Sequence, residues 1–581
     1  MARGNLFGII SAMKKFTTVE ERLADWLGGA FAESFASDGK TLPQVRVLPA
    51  TDLKFGDFQC NDAMGFAKLL HQSPRAIAQA ALAKPLPDFV EKAEIAGPGF
   101  INITLKSGFI ASALNELEKD ASLGVPQSGE GKTVVIDYSS PNAAKQMHIG
   151  HIRSTVIGNA IDRLFREMGY RVIADNHLGD WGTQFGILIK GYRECLTDEE
   201  RKNLTVANLE KCYVLSAAKA KEEDGVWKDA CRRELVKLQQ GDPENTALWK
   251  RFIDISIAEF ERMYSLLGIK FDTYRGESYY NNMMPGVVER LVKVGIAAES
   301  EGALAVKFED ERLGVAIVRK SDGGFNYTTS DLACVESRVA EYAPERIIYV
   351  TDDRQQLHFK QFFAICAKLG IETKLVHVPF GLMSYQGKAI STREGNLIRL
   401  DDLLEEAKRR ALAVIESGDR QIPGDKNKLA AQIGFGAIKY ADLSHDPATA
   451  IDFNWDKALA LEGNSGPYLQ YAFARVSSLL DKAGEAPDGA IEITSPVEKK
   501  LALQILEYGN AVERAANAYK PSILADYLFA LSQTYSNFYQ TSPVLKAEAS
   551  VRSSRLHLCA LFGKVLGCGL RLLGIETPER I

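Results

Sequence analysis

The tightest constraint on this chain lies between residues 133 and 175. TVVIDY (133–138) is rich in β-branched residues and reads as a strand. A polar turn, SSPNAAKQM, leads from it into HIGHIRSTVIGNAIDRLFREMG. Apolar residues at 152, 156, 157, 161, 164, 165 and 168 form a helical stripe, and Gly169 is a natural stop. RVIAD (171–175) is the next strand. Strand, helix and strand in this order make a βαβ unit with parallel strands. That geometry puts the start of the crossover helix, and any ligand there, at the carboxyl edge of a sheet.

A second unit follows further on: IIYVT (347–351), a helix around QFFAICAKLG (361–370), and KLVHV (374–378). Between the two, residues 190 to 275 are charged, amphipathic and helical, and read as an insertion. VAIVRK, SDGG and FNYTT (315–329) read as a hairpin with a Gly-Gly turn. Residues 1–128 mix helical patterns with a strand, FINITL (100–105), and end in a glycine-bearing polar linker, GVPQSGEGK (124–132). From 401 onward strands vanish and long amphipathic helices such as DLLEEAKRRALAVIES dominate. The expected organisation is an α+β domain over 1–128, a Rossmann-type α/β parallel-sheet domain over 129–400, and an all-α domain over 401–581.

At 581 residues the chain is too long for one core. Its 70 Lys+Arg against 75 Asp+Glu leave a net charge of -5, so any nucleic-acid surface must be local. The eight cysteines, at 60, 195, 212, 231, 334, 366, 559 and 568, form no Cys-x-x-Cys pair. They read as thiols of a reducing compartment. With no long apolar run and no secretory pattern in MARGNLFGIISAMKKF, the expected location is the cytoplasm, away from membranes.

His148, Ile149, Gly150 and His151 open the first crossover helix. Histidines three apart share a face of the first turn. A helix N-terminus presents free N–H groups and positive potential, which favours phosphate. Two imidazoles there are placed to donate to phosphate oxygens, and Gly150 lets a base or ribose approach the backbone. The plainer reading is a surface helix with two chance histidines; its position directly after a strand argues against that.

HIGH at a helix start resembles the motif of class I aminoacyl-tRNA synthetases. The flanks are more specific. SSPNAAKQMHIGHIRST with NHLGDWGTQFG (176–186), FNYTTSDLA (325–333), QQLHFKQ (355–361), GAIKYADLS (436–444) and EGNSGPYLQYAFARV (462–476) are similar to arginyl-tRNA synthetases. AGPGFINI (96–103) resembles the end of that family's N-terminal domain. The matches run in order along nearly the whole chain.

The resemblance implies an ATP-dependent arginine–tRNA ligase. L-arginine would be activated to arginyl-adenylate and passed to the 3′-terminal ribose of tRNA(Arg), with activation dependent on bound tRNA. Mg²⁺ would accompany ATP without a dedicated protein cage. A monomer is expected. The family's second phosphate motif, KMSKS, corresponds here to Ala389, Ile390, Ser391, Thr392 and Arg393, within SYQGKAISTREGN (384–396). Ala389 and Thr392 stand where the motif has lysines. Lys388, one residue upstream, and Arg393 are the cations available to replace them. By resemblance His148, His151, Lys388 and Arg393 are catalytic. Lys145, Gly150, Leu382, Met383, Ser391 and Thr392 join them around ATP.

A selective pocket for arginine needs carboxylates. By resemblance Tyr327, Asp331 and Gln355 face the arginine side chain, while Asp137, Ser140 and Asn142 line its α-amino end. On residue type alone, Asp331 reads equally well as a helix cap. In the C-terminal part, the KRR run (408–410), Arg475 and Arg514 alternate with Tyr519, Tyr527, Tyr535, Phe538 and Tyr539. Such a mixture suits stacked RNA bases, or a core of tyrosines beneath a charged face. The resemblance makes 401–581 an anticodon-binding domain and 1–128 a tRNA elbow-binding domain. Two alternatives stay open: a non-catalytic tRNA-binding relative, and a nucleotidylyltransferase that shares the H-x-G-H helix start.

Overall fold

The βαβ prediction holds in the computed structural model, which describes residues 17–35, 41–50, 52–221, 225–385, 388–389, 398–417, 424–484 and 489–581. Four parallel strands form the central sheet, in the order Lys374–Phe380, Arg346–Asp352, Thr133–Asp137, Arg171–Asp175. The order reverses between Thr133–Asp137 and Arg346–Asp352, which opens a crevice at their carboxyl ends. Both faces are covered, as a parallel sheet requires. Val134 and Ile136 pack toward the crossover helix Ile149–Glu167, with Ile152, Val156 and Ile161. Val135, Ile173 and Ile347 pack the other way, against Leu332 and Val335 of the helix Tyr327–Tyr342 and Phe362 of the helix Gln356–Lys368.

The hairpin expected over 315–329 forms differently. Val315–Arg319 pairs with Ala303–Lys307, which in turn pairs with Ala298–Ser300. Across the Gly-Gly turn the pairing is limited to an isolated Arg319–Phe325 bridge, with the Lys320 N–H donating to the Gly324 carbonyl and the Asn326 N–H to the Val318 carbonyl, and no second strand forms among the described residues. Asn326 then caps the next helix by accepting the Tyr327 N–H, and this cap ends the strand. Among the described residues the insertion comprises five helices from Thr183 to Leu266, around a core of Phe185, Leu188, Leu209 and Phe252. That core includes Ala143 and Ala144 of the turn before HIGH.

Strands do not vanish after 401. Ile451–Phe453 pairs in parallel with Met383–Tyr385, beyond the last sheet strand. The remaining C-terminal elements are helices, among them Lys426–Leu443, Gly466–Ala483, Pro521–Thr541 and Ala549–Leu572. They pack directly on the crossover helix. Arg163 donates to the Gly268 and Arg571 carbonyls, and the buried Lys439 ammonium donates to the Leu267 and Gly574 carbonyls. The N-terminal region has a four-stranded antiparallel sheet flanked by helices, α+β as expected. The glycine-bearing 124–132 segment is packed rather than free. Leu123 and Val125 are buried, and Gly124 lies so close to Gly509 that a Cβ there would come within 2.0 Å of the Gly124 carbonyl oxygen. Among the described residues no helix is long and apolar enough to cross a membrane.

Candidate active site

The turn between Asp137 and His148 is bent by three non-glycine residues in the left-handed region, Ser139 (φ 71°), Ser140 (φ 47°) and Ala144 (φ 62°). Such conformations persist only where surroundings enforce them. Each of these amides donates to a side chain on another element: Ser139 to Ser154 Oγ at 2.9 Å, Ser140 to Asn176 Oδ1 at 3.1 Å, Ala144 to Ser256 Oγ at 2.9 Å. Ser256 belongs to the insertion helix Pro243–Leu266, so the insertion helps to shape the approach to HIGH.

His148 caps the crossover helix, and its Nδ1 accepts the Gly150 N–H at 3.1 Å. His151 Nδ1 accepts the His148 N–H at 3.1 Å. The rings lie 3.9 Å apart between centroids. With both Nδ1 atoms accepting, each neutral ring carries its proton on Nε2 and presents it as a donor. Burial, then the charge of Lys145, pushes His148 down to about 4. Burial, then His148 and Lys145, pushes His151 down to about 3. Both imidazoles are therefore uncharged donors at neutral pH. Gly150 has a reason beyond ligand access: a Cβ there would come within 2.9 Å of the His148 ring.

Parallel register sets Asp137 directly beside Asp175. Two neighbouring carboxylates need a cation between them. Arg338, from the helix Tyr327–Tyr342, supplies it, donating to Asp137 Oδ2 at 2.7 Å and to Asp175 Oδ2 at 2.7 Å and 3.0 Å. All three side chains are buried. Ser140 Oγ donates to the other Asp137 oxygen at 2.9 Å. The Asp137 charge is thus matched within the protein, and its outlet toward the crevice is Ser140. Asn142 is exposed and its backbone bridges to Gly179.

Across the crevice, Tyr327 opens its helix 70% exposed, and Asp331 lies one turn in. Asp331 is not a cap, since Asn326 takes that role. Its Oδ2 lies 2.6 Å from His358 Nε2, a partner the sequence did not suggest. Gln355 is exposed in the short turn Asp353–Gln355, at the end of Arg346–Asp352. A further carboxylate, Glu277, went unnoticed in the sequence. It is partly buried and no Lys or Arg pairs with it among the described residues. Burial lifts it to about 7; His177 opposes this, and Asp180 and Asp331 add to it. Asp180 aims the turn that carries it, accepting the Ser278 N–H at 2.8 Å and its hydroxyl at 2.6 Å. Gly276 is required there, because a Cβ would lie within 2.3 Å of the Asp180 carboxyl. The one signal in the sequence was an acid directly after a glycine, just past the helical 190–275 insertion.

Leu382 is exposed and Met383 buried at the base of the 384–396 loop. The Lys388 backbone pairs with Tyr385. Ser391, Thr392 and Arg393 lie outside the described residues. Past the loop, Ile398 accepts the Ile149 N–H at 3.0 Å, and Leu400 donates to the Met147 carbonyl at 2.9 Å. The loop's far end is therefore anchored on the HIGH turn itself. Lys145 is exposed, with its ammonium over the Tyr213 ring of the insertion at 5.3 Å.

Three family models match this chain: "tRNA synthetases class I (R), catalytic domain" over 113–455, "DALR anticodon binding domain" over 469–581, and "Arginyl tRNA synthetase N terminal domain" over 17–105. The chain belongs to the arginyl-tRNA synthetases of class I. An arginine–tRNA ligase of Fusobacterium nucleatum is 44% identical over 550 residues, covering 93% of this chain and 96% of its own. One of Laribacter hongkongensis is 40% identical, over 97% of this chain and all of its own. Among solved structures, arginyl-tRNA synthetase from Plasmodium falciparum superposes with a TM-score of 0.84 at 27% identity, covering 98% of this chain and 100% of that one. That of Thermus thermophilus gives 0.81 at 26%, over 96% of this chain and 100% of its own.

Within the helical part of this synthetase, the expected aromatics divide. Tyr535 and Phe538 are buried core, Tyr527 donates to the Gln504 carbonyl, and Tyr519 accepts from Arg346 of the central sheet. Tyr539 alone of the five is exposed. It flanks Arg475, whose guanidinium also lies 4.8 Å over Tyr471. Tyr471 and Arg475 border a cavity of about 680 Å³ that Tyr468, Gln540 and Ile581 help to line.

Proposed function

We propose that this arginine–tRNA ligase works through the residues gathered at the carboxyl edge of its sheet. The arginine carboxylate attacks the α-phosphorus of ATP, the bond to the β-phosphate breaks, and pyrophosphate leaves. The terminal ribose hydroxyl of tRNA, the 2′-hydroxyl as expected in class I, then attacks the arginyl carbonyl and releases AMP. No protein nucleophile is required; the barrier falls through positioning and stabilisation of phosphate charge.

His148 and His151 donate through Nε2–H to the phosphates, reinforced by the free amides of the helix start. Gly150 leaves room for the nucleoside, with Leu382 and Met383 near its base. Lys145, Lys388, Ser391, Thr392 and Arg393 complete the clamp, and Mg²⁺ travels with the triphosphate. Asp331, with Tyr327 and Gln355, receives the guanidinium, and Glu277 is a second anionic wall. Ser140 and Asn142 take the α-amino end, with Asp137 acting through Ser140. The aromatic and cationic rim at Tyr471, Arg475 and Tyr539 receives anticodon bases, and the N-terminal domain receives the tRNA elbow.

The observation that carries this reading is the combination of two uncharged imidazole donors with a carboxylate, Glu277, that no Lys or Arg pairs with among the described residues, His177 being the positive group nearest it in effect. The test is ATP–pyrophosphate exchange with each amino acid, with and without tRNA. Exchange with arginine alone, and only when tRNA is present, is the expected result. Exchange with another amino acid, or none at all, would overturn it. Lys388→Ala should slow adenylate formation; an unchanged rate would place the clamp elsewhere.

A further inference from the structure

Arg153 follows HIGH by two residues, on the crossover helix, yet it is only 1% exposed. Its Nε and Nη2 donate to Asp442 Oδ1 at 3.1 Å and 3.0 Å. Asp442 belongs to the helix Lys426–Leu443 of the C-terminal region and is 2% exposed. The remaining nitrogen of Arg153, Nη1, donates to the Gly381 carbonyl at 2.6 Å and the Thr449 carbonyl at 2.9 Å. One guanidinium therefore joins the HIGH helix, the C-terminal helices and the base of the 384–396 loop.

The loop base is held from the same side by its own backbone. Gly381 N–H donates to the Pro447 carbonyl at 3.0 Å, and Ile451 N–H donates to the Leu382 carbonyl at 2.9 Å. A Cβ on Gly381 would lie within 2.8 Å of the Ala450 nitrogen, so the two segments touch backbone to backbone. Since the far end of the loop is anchored on Met147 and Ile149, both its ends refer to the HIGH turn. One does so directly, and the other through Arg153, which Asp442 holds in place.

Stability is a poor explanation for this pair. Asp442 Oδ2 is buried without a hydrogen-bond partner. Desolvating two charges and leaving an acceptor unmet recovers little, and well-packed apolar residues commonly serve as well or better. What apolar residues cannot do is hold three separate segments in one register.

We propose that Arg153 is a positioning residue for activation: through Asp442 it makes the seating of the C-terminal helices set the distance between the HIGH turn and the base of the 384–396 loop. Buried away from solvent, it acts through the segments it joins. This rests on the assignment of HIGH and the 384–396 loop as the two sides of the ATP site.

The test uses the full chain, with Asp442→Asn and the double variant Arg153→Met/Asp442→Leu, which removes both charges while keeping apolar bulk. Exchange rates are normalised to the folded fraction from circular dichroism. Asp442→Asn should form adenylate at least tenfold more slowly, with a raised KM for ATP and an unchanged KM for arginine. The double variant should regain thermal stability but not the rate. A rate that returns with stability in the double variant would overturn the proposal. So would a parental rate in Asp442→Asn, or a defect confined to the arginine KM. A parent chain with no arginine-dependent exchange would instead unseat the catalytic assignment itself.

Discussion

The two halves of the candidate site are built on opposite principles. The half proposed to face ATP comes largely from one stretch, residues 145–151, and its helix start offers uncharged donors beside the cation Lys145: two imidazoles pushed down to about 4 and about 3, and the backbone amides. The half proposed to face arginine is assembled from Tyr327, Asp331, Gln355 and Glu277, which come from three separate elements. It offers carboxylates, one of them lifted to about 7. Each half complements the charge it meets. Fixed neutral donors suit an anion whose charge shifts during reaction, while a permanent cation calls for full negative charge.

The largest effect should come from removing that negative charge. Asp331→Ala is expected to weaken arginine binding by about 2–5 kcal/mol while ATP binding changes little, as for one partner of a buried charge pair. Calorimetry with each ligand checks this, and equal losses for both would erase the contrast between the halves. His151→Ala tests the other half. It should raise the activation barrier by about 3 kcal/mol with arginine affinity unchanged, the usual loss for one donor to developing charge. Pre-steady-state adenylate formation is the measurement, and an unchanged rate would remove His151 from the mechanism. Glu277→Gln keeps shape and deletes charge, so arginine affinity should fall by about 1.5–3 kcal/mol, the range for a hydrogen bond to a charged group.

The smallest effect is a difference in pH dependence. Glu277 must shed its proton to meet a guanidinium, so arginine affinity should fall as pH drops through about 7, by up to tenfold per pH unit below it. His177, Asp180 and Asp331 face the same carboxyl and broaden the transition. The histidines stay neutral throughout this range, so the activation rate at saturating arginine should show no histidine limb between pH 6 and about 8. A limb near 6.5 in that rate would mean that the imidazoles are not buried as described.

The contrast also explains what was readable beforehand. The helix start at His148 lies within a few residues of its strand, and its role follows from local rules: a β-branched run, a turn and an apolar stripe. Asp331 was visible only by resemblance, because nothing near it in sequence says that it faces a ligand. Glu277 was missed altogether. It lies 140 positions after Asp137 and 54 before Asp331, and its turn is set by long-range bonds, from Ser278 to Asp180 and from the Glu277 amide to the Leu178 carbonyl. The hairpin expected over 315–329 failed for a local reason, because the Asn326 cap starts a helix before a second strand can form.

By itself, the amino-acid sequence determined the parallel βαβ core, the histidine-bearing helix start, the three-part organisation and the family. These depend on periodicity and short motifs, which act over a few residues. The tertiary structure alone decided which charges are available. Asp137 was committed to Arg338 because parallel register set it beside Asp175, and Arg153 was buried against Asp442 by a helix 289 residues away. Whether a carboxylate serves a substrate or another part of the chain depends on which cation reaches it, and only the packed fold brings those groups together.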